Sequence, residues 1–255
     1  MTQREKTQNG FTLIELIIVI VLLGIVGAMG AGFISAAFRG FFDADVRMEM
    51  YEEGKSALVR MEREIHIALP NAIDVSIAGD TVSLGVIDEN AMAGVFGQYT
   101  EEHPSGGATI TDRTAGLPLN TPVSIYNTEW AIFNNGSRTY SVTSNGANPM
   151  TLDRNIGVAS PYQRFYAVRP DAVRFSVAGT TLSRSTAAVN AGAALGAFSN
   201  PQTLAQNIIP SGALPFFTYN PGTSTRNSVV SIHFAIQRNN ETVNFHKEVQ
   251  IRNVP

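Results

Sequence analysis

Three residues near the start of the chain have the types and the spacing for a peptide-bond cut followed by an ion pair. Gly10 directly precedes Phe11, and Glu15 stands just ahead of residues 16–38, a run of 23 residues without a charged side chain. A cut after Gly10 would make Phe11 the N-terminus, and its new α-amine would be a cation with a pKa of about 7.7–8.0. Glu15, four residues further on, is placed to pair with such an amine on a neighbouring copy.

The position of Glu15 beside an apolar segment calls for a partner. A carboxylate in a transmembrane helix costs roughly 2.5–3.5 kcal/mol at the centre and less near the interface, and such residues usually mark function. In a packed apolar bundle, a pair between Glu15 and the amine of Phe11 would fix the axial register between subunits. Removal of either partner would leave a buried charge without compensation, which is strongly destabilising.

The run that follows Glu15 is long enough to cross a membrane as a helix. At about 1.5 Å per residue, its length matches the roughly 30 Å hydrocarbon core of a bilayer. Arg4 and Lys6 precede it and favour a cytoplasmic N-terminus. Two plainer interpretations stay open. One is a signal peptide cut near residues 28–31, although its apolar region would normally have only about 7–15 residues, and the other is an uncut signal anchor.

Gly10, Phe11 and Glu15, with the short charged leader before them and the apolar run behind, resemble the class III signal of type IV prepilins and type II secretion pseudopilins. The resemblance implies that a prepilin peptidase cuts between Gly10 and Phe11 and methylates the amine of Phe11. It also implies that Glu15 guides the subunit into a growing filament. The expected site residues are therefore Gly10 and Phe11 for cleavage, Phe11 for N-methylation and Glu15 for subunit docking.

Past residue 38 the helical pattern continues but becomes one-sided. Apolar residues recur at three- and four-residue spacings, which indicates a helix that buries one face; they are Val46, Met50, Ala57, Leu58, Met61, Ile65 and Leu69. The opposite faces carry the charged residues Asp43, Arg47, Glu49, Glu52, Lys55, Arg60 and Glu64. Because the residue before a proline disfavours the α region, we predict one helix from about Thr12 to Leu69, ended by Pro70.

The predicted fold class is therefore α+β. A long N-terminal helix, with an apolar transmembrane half and an amphipathic half, packs on a C-terminal antiparallel β-sheet domain with long loops. The expected segments are a prepilin leader at 1–10, a transmembrane or filament-core helix at 11–38, an amphipathic helix at 39–70 and a periplasmic β-rich head at 71–255. Glycines in the apolar half indicate either close helix packing or local melting during assembly; they are Gly24, Gly27, Gly30 and Gly32.

The remainder of the chain has the pattern of strands and loops. We predict hairpins around residues 78–80, around Asn135 and Gly136, and around residues 178–179, because strand-like runs flank turn residues there. Residues 186–228 are rich in Ala, Gly, Asn, Ser and Pro. That composition predicts loops, with a short helix near residues 202–206.

The last two predicted strands permit an argument about register. With Asn239 and Asn240 as the turn, residue numbers in opposed pairs sum to 479, and seven of the eight side chains on one face are apolar. A shift by one residue would turn this set to the other face, so burial should hold the register. Lys247 is the exception, which we assign to a sheet edge. The same register places His233 opposite His246 on the outer face.

Composition argues against several classes of function. The net charge is −3 with 18 Lys and Arg, so no basic surface for nucleic acid is expected, and the absence of cysteine excludes disulfides and thiol chemistry. No hydrolase, metalloprotease or P-loop motif occurs, and we expect neither an enzyme nor a cofactor. Two histidines are too few for a zinc site, and residues 88–90 lack an Asp-rich calcium loop, so we expect no metal.

Three stretches, one at the end of the predicted helix and two in the head, resemble a narrower group. Residues 57–76 and 243–255 are similar to minor pilins of the mannose-sensitive haemagglutinin (MSHA) pilus, of the MshO type, and residues 203–219 fit the same group. This resemblance implies a minor pilin of the inner membrane and later of the cell-surface pilus. Its expected partners are the prepilin peptidase, other minor and major pilins, and the inner-membrane assembly platform. The alternatives are a type II secretion pseudopilin of the J type and, in another class, a signal-anchored periplasmic binding or adhesion module.

Overall fold

The computed structural model describes residues 10–91, 99–100, 106–112, 116–144, 146, 149–222 and 226–251. Within them a long helix is followed by antiparallel sheets, which confirms the predicted α+β class. The helices are α1 (Leu13–His66) and α2 (Trp130–Asn134). The strands are β1 (Ala68–Val75), β2 (Thr81–Val86), β3 (Tyr99–Thr100), β4 (Thr109–Asp112), β5 (Pro122–Ile125), β6 (Thr139–Ser141), β7 (Met150–Thr151), β8 (Phe165–Ala167), β9 (Asp171–Ala178), β10 (Thr181–Ala188), β11 (Ser199–Gln206), β12 (Ile208–Ile209), β13 (Phe217–Asn220), β14 (Ser228–Arg238) and β15 (Glu241–Ile251).

The chain divides into two compact units, Met1–Glu49 and Met50–Pro255. In the first unit the described apolar side chains of α1 are exposed to solvent, with Leu13 78% and Phe33 80% exposed. In the second unit α1 buries one face against the sheets, as predicted for Met50, Ala57, Met61 and Ile65. The long helix therefore has an uncovered apolar part and a packed amphipathic part.

The packed part of α1 differs from the predictions in the burial of Glu64 and in the position where the helix ends. Glu64, expected on a solvent face, is buried. Gly54, for which no prediction was made, is buried under the ring of Phe245. A Cβ at residue 54 would collide with that ring, so only glycine fits there. The helix also ends at His66 rather than Leu69, and Pro70 lies inside β1 instead of ending the helix.

Pro70 is tolerated in β1 because this strand is irregular and lies at a sheet edge. β1 pairs only with β2 in its five-stranded sheet, and its register shifts between Ala68 and Ile73. Asn71, next to the proline, has a φ of +60°. Proline removes one backbone donor, which matters least at such an edge or bulge.

Two sheets form the part of the head that adjoins the helix. The five-stranded sheet has the order β1-β2-β9-β10-β11, and the four-stranded sheet places β12 and β13 on one side of β14 and β15 on the other. The predicted hairpins β1–β2 and β9–β10 are confirmed. The C-terminal hairpin is confirmed residue by residue, from Arg238 opposite Glu241 to Ser228 opposite Ile251.

A separate core lies in the segment between β2 and β9, which we call the insertion (residues 87–170). It contains β3–β8 and α2, and its buried side chains include Ile110, Val123, Phe133, Tyr140, Met150 and Phe165. The hairpin predicted around Asn135 and Gly136 is wrong, because Trp130–Asn134 is helical and Asn135 caps that helix. Strand β6 pairs instead with β5. Phe133 packs where a Cβ on Gly85 would stand, so burial of this ring favours the short helix.

Residues 186–228 are more regular than predicted. Residues 202–206, expected to be a short helix, belong to β11, which pairs antiparallel with β10. β11 is an exposed edge strand and contains Pro201, whose missing N–H is tolerated at an edge. The composition of this segment is typical of a loop, but its backbone forms a strand because it hydrogen-bonds with β10.

Candidate processing and assembly site

The first turn of α1 contains a reciprocal pair of side-chain caps. The backbone N–H of Glu15 donates to Oγ1 of Thr12 at 3.3 Å, and the backbone N–H and the hydroxyl of Thr12 both donate to Oε2 of Glu15 at 3.2 Å. Thr12 directly precedes the helix, so the two residues form a capping box that satisfies N–H groups left without an intrahelical partner. The spacing Thr-x-x-Glu before an apolar run is the sequence signal for this capping box, which was not predicted.

The capping box turns the carboxylate of Glu15 back toward the residues that precede the helix. Gly10 and Phe11 are non-helical and exposed, so the peptide bond between them lies outside the ordered helical backbone. A peptidase can therefore reach this bond without first unwinding a helix. Arg4, Lys6 and the remainder of the predicted leader lie outside the described residues.

The exposed part of α1 is long and apolar enough to cross a membrane, by length and composition. The helix surface is recessed at its glycines, because they have no side chain. A Cβ placed on Gly24, Gly27, Gly30 or Gly32 would meet nothing within 4 Å. Such positions let another helix approach closely when one is present. The surface is thus suited to lipid or to neighbouring apolar helices.

Three acidic side chains tie the packed part of α1 to four strands of the head, namely β10, β11, β14 and β15. Glu53 accepts a hydrogen bond from Arg238 in β14 and another from the backbone N–H of Gln206 at 2.7 Å. Glu62 pairs with Lys247 in β15 at 2.8 Å. The third pair joins Glu64 to β10 and is nearly buried. Lys247 does lie on an edge strand, as predicted, and the acid on α1 explains why a cation is accepted on the packed face.

The two histidines predicted to lie opposite each other do so. The rings of His233 and His246 stack with centroids 4.4 Å apart and planes 14° from parallel. Burial, and then the neighbouring His246, lower the pKa of His233, while Glu248 opposes the shift. Among the described residues, no three His, Asp or Glu side chains are grouped so that they could hold a metal ion.

The acidic stretch at residues 88–90 has a local structural role. Oδ1 of Asp88 accepts hydrogen bonds from the backbone N–H groups of Asn90 and Ala91, both at 3.1 Å. This arrangement caps a turn at the start of the insertion. The carboxylate is therefore engaged with its own backbone.

Comparison with known protein families finds a match at the start of the chain. A family described as "Prokaryotic N-terminal methylation motif" matches residues 6–31, a segment that contains Gly10, Phe11, Thr12 and Glu15. No curated protein and no solved structure matches the chain. The chain thus carries a type IV prepilin-like signal, which implies processing by a prepilin peptidase and assembly with other pilins, and which supports a protein of the type IV pilin or pseudopilin kind.

Proposed function

We propose that this protein is a minor pilin of an MSHA-type type IV pilus, similar to the MshO group, and that it acts in the initiation of pilus assembly or at the filament tip. The observation that carries the proposal is the start of α1. There an exposed Gly10–Phe11 bond precedes a capping box whose acid, Glu15, opens a long uncovered apolar helix. In a filament subunit that starts in the membrane, the bond would be cleaved, the acid would pair with a neighbouring subunit and the apolar helix would pack in the filament.

The proposed sequence of events begins with the helix in the inner membrane, the N-terminus in the cytoplasm and the head in the periplasm. Hydrolysis of the Gly10–Phe11 bond removes the leader and leaves an α-amine on Phe11. A methylated amine keeps its positive charge, so it remains a partner for a carboxylate. Glu15 of one subunit then pairs with the Phe11 amine of its neighbour as the apolar helices pack together.

The packed part of α1 links this event to the head. Ion pairs at Glu53, Glu62 and Glu64 hold the helix to β14, β15 and β10, so the head follows the position of the helix. The bulk of the head supports a rare position rather than a repeating one. Residues 71–255 number 185, and the insertion contributes 84 of them; a head of this size is easiest to accommodate where no further subunit stacks above.

A J-type pseudopilin of a type II secretion system remains the second candidate, because the cleavage motif and parts of residues 57–76 are shared with that group. The proposal includes no catalysis by this chain. Adhesion through the exposed head would be an additional role. A signal-anchored periplasmic module would share the apolar helix but would need neither the cut after Gly10 nor the acid at Glu15.

The test is the mass of the N-terminal peptide of the protein isolated from membranes with and without prepilin peptidase. A chain that begins at methylated Phe11 only when the peptidase is present supports the proposal. A chain that keeps its leader, or that is cut near residues 28–31, rejects it. Recovery of the processed chain in sheared MSHA-type pili, and not in a secretion pseudopilus, then decides between the two filament systems.

A further inference from the structure

The five-stranded sheet has two faces of different character. Arg184 of β10, with its partner Glu64, marks the face that packs against α1. Arg184 lies opposite Phe175 of β9, so Arg174, one residue earlier in β9, belongs to the other face. We call that side the hydroxyl face, after five residues that surround Arg174 on it. They are Ser83 and Ser185, which flank Arg174 on the neighbouring strands, and Thr81, Ser176 and Ser183 in the next row.

The insertion covers one end of the hydroxyl face. Phe133 packs where a Cβ on Gly85 would stand, and Ala172, two residues before Arg174, belongs to the buried core of the insertion. Phe198 also packs against that core. The next row of hydroxyls, two residues beyond Arg174, is partly exposed. Arg174 therefore lies at the border between the covered part and the open part of this face.

The guanidinium group of Arg174 is held on two sides. Its Nε donates to Oγ of Ser83 at 2.8 Å, and Ser83 is itself only 2% exposed. The ring of Phe198 stacks against the group, with 3.8 Å between the ring centroid and Cζ. Within the described ranges no hydrogen bond reaches the two Nη atoms. The contacts thus fix the plane of the group and leave its Nη edge for another partner.

The charge of Arg174 lacks a carboxylate partner in the described part of the head. Asp74, opposite Ser83 in β1, attracts it without forming an ion pair. Burial lowers the pKa of Arg174, and Asp74 opposes that shift. Four other cations of the head do contact a carboxylate; they are Arg154, Arg184, Arg238 and Lys247. Because a partly buried charge without a partner is costly, an anionic group at the Nη edge would stabilise this arrangement.

The shape and charge of the site indicate the kind of anion. Two parallel N–H groups of a guanidinium match the oxygens of a carboxylate or a phosphate. A phosphate ester carries a charge of about −1.5 to −2 at pH 7. One cation with Asp74 nearby favours a single negative charge, hence a carboxylate. Ser185 beside Arg174, and Ser176 and Ser183 with their hydroxyls 3.2 Å apart, can donate to and accept from hydroxyls of a ligand.

We propose that Arg174 and the hydroxyl face form a binding site for a hydroxylated carboxylic acid of the sugar-acid type. The Nη edge of Arg174 binds the carboxylate, and Ser185 donates a further hydrogen bond to it. The row that contains Ser176 and Ser183 binds the hydroxyls of the ligand. The inference does not rest on the proposed function, because the site lies in the head, on the face of the sheet that is turned away from α1.

The test is a titration of the full-length chain in detergent with D-glucuronate, followed by ligand-observed NMR. D-glucose is the matched probe without the carboxylate, acetate is the probe without the hydroxyls, and inorganic phosphate is the competing anion. We expect D-glucuronate to bind with a dissociation constant on the order of 1 mM, acetate at least about threefold more weakly, and D-glucose and phosphate more weakly still. Equal binding of D-glucose, equal binding of acetate, or tighter binding of phosphate would overturn the inference.

Two variants locate the binding. Arg174→Lys keeps the charge but removes the fork, so we expect D-glucuronate to bind at least about tenfold more weakly. Ser185→Ala removes one hydrogen bond and should weaken binding about threefold or more, which tests the site even if the first variant does not fold. The fluorescence of Trp130, the single tryptophan, reports whether each variant is folded.

Arg63 supplies the matched control, as an exposed arginine in the last turn of α1. Arg63→Lys should leave the binding of D-glucuronate unchanged. Binding that is unaffected by Ser185→Ala and by a folded Arg174→Lys chain would overturn the inference, as would an equal loss from Arg63→Lys. Cleavage before Phe11 is measured separately, so neither result bears on the proposed function.

Discussion

Glu64 of α1 accepts two hydrogen bonds from Nε of Arg184 in β10, at 3.0 Å to Oε1 and 2.9 Å to Oε2. The two residues are 120 positions apart in the chain, and their side chains are only 10% and 14% exposed. Arg60, one turn before Glu64 on the helix, adds a weaker contact at 3.7 Å. This pair connects the C-terminal part of the helix to an inner strand of the five-stranded sheet, and both side chains are largely shielded from water.

Arg184→Ala is expected to lower the free energy of unfolding by about 3 kcal/mol, because it leaves the carboxylate of Glu64 buried without its main partner. Replacement of both residues, as Glu64→Leu with Arg184→Met, should recover most of that loss, since two apolar side chains need no partner. Urea unfolding of the full chain in detergent, followed by Trp130 fluorescence, measures both effects.

Glu52 provides the matched control, as an exposed acid on the same helix. Glu52→Ala should change the unfolding free energy by no more than about 0.5 kcal/mol. If Arg184→Ala were equally mild, the pair would hold the helix to the sheet no better than a surface contact does.

Gly54→Ala should destabilise the head even though alanine is the better helix former. Alanine favours a helix by about 1 kcal/mol over glycine, but a Cβ at residue 54 would collide with the ring of Phe245. That ring is itself buried against Phe234 and has little room to move. Overpacking of this kind costs about 1–3 kcal/mol, so we expect a lower midpoint in the same urea titration.

The control for this substitution is Gly40→Ala. Gly40 lies in the same helix, and a Cβ there would meet nothing within 4 Å. Alanine at residue 40 should therefore leave the head as stable as before. An equal loss of stability from both substitutions would mean that Phe245 has no part in the effect.

The elements that could be predicted from the sequence are those in which pattern and burial agree. The register of β14 and β15 follows from strict alternation, because a slip by one residue would expose Phe234 and Ile236. The packed face of α1 follows from helical spacing. In both cases the local preference and the final packing favour the same structure.

The elements that could not be predicted depend on distant residues. The helical pattern alone places Glu64 on a solvent face, because its partner Arg184 lies far away in sequence, in β10. Residues 130–134 follow a strand-like pattern, yet burial of Phe133 beside Gly85 makes them a helix. Residues 199–206 form strand β11 because their backbone pairs with that of β10. The capping box at Thr12 is different, because the Thr-x-x-Glu spacing is a local signal that was sufficient to predict it.

Stability of the head should fall as the pH drops below 6.5, and His233 should account for part of the fall. Burial and the stacked ring of His246 keep the pKa of His233 below its ordinary value of 6.5, and Glu248 only partly opposes this. Above pH 6.5 the ring is neutral in both states. Between 6.5 and the folded pKa the unfolded chain binds a proton that the folded chain does not, so unfolding becomes easier.

His233→Asn should therefore flatten the decline of the thermal midpoint between pH 7.5 and pH 5.0. His246→Asn should have a smaller effect in the same direction, because it removes the neighbouring ring that helps to lower the pKa of His233 but leaves the burial of His233 unchanged. A variant without His233 that loses stability as steeply as the natural protein would assign the pH dependence to other groups.

Three substitutions separate the two roles that the first turn of α1 gives to Glu15. Glu15→Gln keeps a side chain that can complete the capping box but removes the charge. Thr12→Ala keeps the charge but removes the hydroxyl, at about 1 kcal/mol of helix stability. Glu15→Ala removes both. If pairing with the Phe11 amine drives assembly, Glu15→Gln should abolish pilus incorporation as completely as Glu15→Ala, whereas Thr12→Ala should reduce it only partly.

The measurement is the amount of processed chain in sheared pili relative to membranes, with amide exchange of the first turn in detergent as the second readout. Thr12→Ser restores the hydroxyl and serves as the control for Thr12→Ala. We expect Thr12→Ala to speed exchange at Glu15, whose N–H bonds to Oγ1 of Thr12, and Glu15→Gln to leave that exchange slow. Normal incorporation of the Glu15→Gln chain would mean that the capping box, and not the charge, is what assembly requires from this residue.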